Sequence, residues 1–173
     1  MASLGGLQER GIVGRNVAGV GPLGAHLPGF ANPPDALYQG SDDPTRGYDD
    51  HRSFFFRNTI EAYRQIMLDH QDGAKSIWPT HVGWPVWRYQ DERYRFAQEN
   101  SLEEQAENTA RAYEMGQAWG WVGPMFLNNL DYNLTAPETE LANFGILGTP
   151  TYERLMAGRS TAPAGVLSQP PAP

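Results

Sequence analysis

The residue in this sequence best equipped for chemistry is His81, inside the stretch KSIWPTHVGW, Lys75 to Trp84. Ile77 and Trp78 supply apolar bulk, Thr80 can hydrogen-bond, and Gly83 lets the backbone turn sharply. The run reads as the end of a buried strand entering a loop, with His81 where a catalytic group would stand. An imidazole there suits general acid or base work near neutral pH; the plainer reading is a histidine bonded to a loop carbonyl. Trp84, Trp87, Tyr89 and Tyr94 follow within a few residues. Their rings suit stacking on the CH-rich face of a pyranose, and equally ordinary loop packing. His26, His51, His70 and His81 follow no ligand spacing, so no metal site and no cofactor are expected. The absence of cysteine removes thiolate ligands, cysteine nucleophiles and disulfides together.

The elements that must position these residues alternate between strand and helix. Residues 1–20 are glycine-rich without a period and read as an irregular lead. Leu23 to His26 reads as a short strand end, and the prolines at 28, 33, 34 and 44 then demand a long loop. Phe56, Ile60, Tyr63 and Met67 recur at helical spacing, with Ser53 as the expected N-cap and Gly73 ending the run. Ser76 to Thr80 is the next strand, and Val82 to Asn100 the next loop. Ser101 and Glu104 make a capping-box pair opening a second helix, whose inward stripe reads Leu102, Ala106, Thr109, Ala110 and Tyr113. Gly116 and Gly120 mark its end. Trp121 to Asn128 reads as another buried strand, and Thr149 to Met156 as a last helix. Residues 158–173, rich in proline and alanine, are expected to be disordered. Helices joining parallel strands give an α/β fold over residues 21–157, with every long loop at a strand C-terminal end.

Bulk properties narrow the partners. The 173 residues carry a net charge of −7 and a sequence pI near 5.0, which argues against nucleic acid as a partner. No run of 18 apolar residues exists to span a membrane. The first residues lack the basic start and apolar run of a signal peptide, and nothing in the chain fixes a compartment.

Several segments together resemble one family. IWPTHVGW is similar to the seventh-strand motif of retaining glycoside hydrolases of the cellulase-like group, which fold as a (β/α)8 TIM barrel. WVGPMFLNNLDY resembles their eighth strand, and GAHLPGFANPPDA the loop of their sixth. HRSFFFRNTIEAYRQIM and SLEEQAENTARAYEMGQAWG resemble the intervening helices, and FGILGTPTYERL the closing one. The resemblance spans about residues 21 to 156 and implies a partial barrel, roughly strands six to eight with their helices and long loops. It implies a β-linked oligo- or polysaccharide as the substrate class.

Carried over position by position, the family nucleophile, a glutamate after the seventh-strand threonine, is His81 here. The eighth-strand tryptophan that stacks under the sugar is Asn128, which can instead hydrogen-bond a sugar hydroxyl. His26, Trp84 and Trp87 are expected to line the sugar site, joined by Asp131, whose side chain equally suits a turn. The family's acid/base glutamate lies in an Asn-Glu context on the fourth strand, and no such segment occurs in this sequence.

Retaining hydrolysis needs two carboxyl groups about 5 Å apart. Neutral imidazole brings no negative charge to an oxocarbenium-like centre, and protonated imidazole repels it. The expectation is therefore a C-terminal half without both catalytic glutamates, completed by a second chain or by a missing N-terminal half. The alternative is a non-catalytic carbohydrate-binding or interaction protein. Pro79 argues against a central strand, because proline removes a ladder donor.

Overall fold

The computed structural model describes residues 21–40 and 51–161. The expected lead at residues 1–20 lies outside them, as do residues 162–173. The order is β1 (Leu23–Pro28), α1 (Phe56–Asp69), β2 (Ile77–Gly83), α2 (Leu102–Ala118) and α3 (Pro150–Thr161), with 3-10 turns at Arg52–Phe54, Glu92–Glu99 and Glu140–Phe144. The fold is mixed α/β around a small two-strand parallel sheet.

The third expected strand is present only as a partner of β2. Residues 121–128 run parallel to it through two isolated bridges, Ile77 with Val122 and Val82 with Leu127. Five backbone bonds hold the segment: Ile77 N–H to Trp121 O, Gly123 N–H to Ile77 O, Phe126 N–H to Pro79 O, Val82 N–H to Phe126 O, and Asn128 N–H to Val82 O. Pro124 has no N–H to give, which fits the ladder breaking into separate bridges. The centre of the three-segment sheet is therefore β2, with β1 on one side and residues 121–128 on the other.

Pro79 sits inside that central strand, contrary to the sequence expectation, and a bulge reconciles the two. Ala25 pairs with Pro79 but His26 pairs with His81, so Thr80 is the extra residue. Sheets tolerate proline beside such irregularities. The Thr80 hydroxyl donates to the Ala25 carbonyl at 3.2 Å, tying down the bulge.

The sheet is covered on one face. Ala25, Leu27, Ile77 and Val82 are buried there with Phe56, Ile60 and Met67 of α1, Ala112 of α2, and Trp84. Period-two alternation places Gly24 and His26 of β1 on the opposite, exposed face. Thr80 is exposed as well, and Phe126 is 48% exposed.

Two helix starts show how local signals fare. The Ser101–Glu104 capping box forms as the sequence predicts, each side chain taking up the other's backbone N–H, an arrangement worth about 1 kcal/mol. Ser53, by contrast, does not cap α1. It lies within the Arg52–Phe54 turn, where the His51 ring accepts its N–H, and α1 starts from Phe55 without a side-chain cap. On α1, Tyr63 and Ile66 are 39% and 55% exposed, so the buried stripe is narrower than the periodicity suggests. At the other end of the chain α3 continues to Thr161, past Met156 and into the segment expected to be disordered.

Candidate functional site

The C-terminal ends of β1, β2 and the 121–128 segment bring together three residues that are far apart in sequence. His26 and His81 are register partners on adjacent strands, and their rings lie 5.3 Å apart between centres with planes only 10° apart. The bulge at Thr80 makes this meeting possible: the extra residue reverses the alternation, so that His81 falls opposite His26. Phe144 backs His81 edge-on, with ring centres 6.1 Å apart. Asn128 follows at the end of the neighbouring segment, its N–H on the Val82 carbonyl at 2.8 Å.

His81 is held toward its neutral form. Burial lowers its pKa below the ordinary 6.5, and the nearby His26 lowers it further. The unfolded chain takes up this proton at higher pH than the folded one. Stability is therefore full above about pH 6.5 and falls as pH drops through the lowered value. Urea unfolding at pH 7.5 and pH 5.0 should show a smaller acid loss for His81→Asn than for the wild type. An equal loss in both would show that other groups carry the acid sensitivity.

Asn128 is 6% exposed, and its side-chain N–H group has no partner among the described residues. Its side-chain oxygen receives only a long 3.5 Å bond from the Asn129 side-chain N–H. The peptide between these two residues is cis. Gly83 lies against this turn: a Cβ there would come within 2.8 Å of the Asn128 carbonyl oxygen and 3.3 Å of the Phe144 ring. Only glycine allows the approach without displacing backbone.

The other expected site residues fare differently. Trp84 is 1% exposed and belongs to the core, where its ring meets Phe56 and its indole N–H donates to the Asn32 carbonyl at 2.8 Å. It is not a stacking platform, because its faces are covered from both directions; Gly29 leaves no room for even a methyl group beside the ring. Trp87 is half-buried, with its indole N–H enclosed and unpartnered among the described residues. Asp131 accepts the N–H of Asn133 at 3.0 Å, which is the turn role. Tyr89 and Tyr94 pack against each other, and Arg93 covers Tyr94 while pairing with Asp91.

Sequence reasoning missed Asn143 and Gln105. Asn143 is fully buried; its side-chain oxygen accepts the N–H groups of Arg88 and Tyr89, and its own carbonyl accepts that of Val86. It thereby holds the loop that carries Trp87. Gln105 donates to the Trp84 carbonyl and accepts from the Thr151 hydroxyl, joining that loop to α2 and α3. Neither has a local signal, since asparagine in LANFG looks like a turn residue and glutamine on a helix like a solvated one.

Among the described residues no group of three or more His, Asp or Glu side chains is placed to hold a metal ion, and no helix is long and apolar enough to cross a membrane. A cavity of about 740 Å³ between α2 and α3 is lined by Tyr113, Met125, Ile146, Tyr152 and Leu155, and by none of the site residues named above. Comparison with protein-family models, curated proteins and solved structures finds no match for this chain.

Proposed function

We propose that the chain is a glycoside hydrolase-like part of a (β/α)8 barrel, corresponding to strands six to eight, that binds a β-linked saccharide without hydrolysing it. The observation that carries this reading is the parallel order β1, β2, 121–128, which brings His26, His81 and Asn128 to one end of the sheet. Those are the positions from which the resembled family contacts its sugar. The Asn128 side-chain N–H group, at this end of the sheet and without a partner among the described residues, is an unspent donor that suits a hydroxyl once a ligand opens the site. Hydrolysis is not part of the reading, because β2 ends in an imidazole kept neutral where a carboxylate nucleophile is needed. Among the described residues the outer edges of β1 and of the 121–128 segment have no strand partner, and those edges are where further strands of a barrel would pair.

The test pairs turnover with binding. The purified chain should release no nitrophenol from activated aryl β-glycosides above the buffer rate, and His81→Glu alone should not create turnover. Titration with β-linked oligosaccharides should shift amide resonances around His81, Asn128 and Asp131. Turnover that disappears in His81→Ala would overturn the non-hydrolytic assignment. The absence of any saccharide-dependent shift would overturn the saccharide assignment.

A further inference from the structure

We propose that His26 and His81 form a two-imidazole site for a late first-row divalent transition-metal ion, of the Cu(II) or Zn(II) class, on the sheet face opposite the helices. This does not rest on the saccharide reading and can stand if that reading fails.

The first argument is geometric. Metal–imidazole bonds of about 2.0–2.1 Å in a tetrahedral arrangement hold two ring centres roughly 5 Å apart. The rings of His26 and His81 stand 5.3 Å apart, on directly paired residues of adjacent strands. The stacked planes do not meet at one ion as they stand, and a turn of the rings about their side-chain torsions is the adjustment that aims both nitrogens at a shared point. His26 is exposed and has the freedom to make it.

The second argument is chemical. Neither imidazole has a hydrogen-bond partner among the described residues; the two rings stack on each other, and His81 also meets the Phe144 ring. Imidazole nitrogens brought together within reach of solvent, with no protein group competing for them among the described residues, are a ligand set that Cu(II), Zn(II) and Ni(II) accept. The bulge at Thr80 is the feature that creates the pair, since without it His81 would point to the helix-covered face. With two protein ligands the site is open, and its other positions are left to water or to an oxygen of a bound molecule.

The probe is Cu(II), titrated into the full chain without an affinity tag. One equivalent should bind, with an electron paramagnetic resonance spectrum showing nitrogen hyperfine structure from two imidazoles. His26→Ala and His81→Ala should each weaken binding by about tenfold or more, whereas His51→Ala and His70→Ala should leave it unchanged. His26 is exposed, so its alanine variant keeps the test decisive even if His81→Ala disturbs folding. Failure of the wild type to bind Cu(II), or undiminished affinity in His26→Ala, would overturn the proposal.

Discussion

Trp84→Ala should lower the unfolding free energy by about 3–5 kcal/mol, the range for removing a large buried aromatic, and leave saccharide binding by the remaining folded chain intact. The ring is 1% exposed, packs on Phe56 with centres 5.9 Å apart, and anchors the β1 loop through the Asn32 carbonyl. Truncation opens a cavity and orphans that carbonyl at once. Gly29 supplies an internal control. A methyl group there runs into the Trp84 ring, so Gly29→Ala should destabilise the wild type. In the Trp84→Ala background the same change should cost little, because the obstacle is gone and part of the cavity is filled. Urea denaturation of the four proteins in this cycle reads the coupling directly. A stacking tryptophan would behave in the opposite way, sparing stability and abolishing saccharide binding.

Ile77→Ala should cost about 2–5 kcal/mol, for a different physical reason. Ile77 is fully buried at the start of the central strand, paired with Leu23 on one side and bridged to Val122 on the other. Both of its backbone groups serve the 121–128 segment, the N–H going to Trp121 and the carbonyl accepting from Gly123 at 2.9 Å. The 121–128 segment has no continuous ladder, so packing beneath it must do more to hold it than in a regular strand. Amide exchange at Gly123 and Phe126 should therefore rise more than exchange within α1 or α2. A loss below about 1 kcal/mol, outside the usual range for such truncations, would show that the core closes over the gap and that this account of the segment is wrong.

Local signals in this sequence are legible to different depths. The capping box at Ser101 and Glu104 is written into four consecutive residues and forms as read. The strand at Ile77–Gly83 runs three residues past the Thr80 end that the sequence suggests, because the bulge at Thr80 breaks the alternation. Ser53 misled because a capping residue competes with its neighbours: the His51 ring took the Ser53 N–H and made a separate turn before α1. Trp84 misled more seriously. A tryptophan in a loop after a strand looks available, and only the return of Gly29 and Asn32, more than fifty residues earlier, covers it. Asp131 was placed in its turn by a signal two residues long.

By itself the sequence determined the alternation of strand and helix, the parallel direction of the sheet, the removal of every cysteine-based chemistry, and the presence of imidazole where β2 ends. These depend on side-chain identity, periodicity and turn chemistry, which act over a few residues. Tertiary structure decided the rest. It buried Trp84, set His26 opposite His81 through a one-residue slip, and gave Asn143 the two loop N–H groups of Arg88 and Tyr89, 55 and 54 residues away. Each of those outcomes depends on which distant segment arrives to fill a space or meet a donor. That is settled only when the whole chain packs, so no local pattern could announce it.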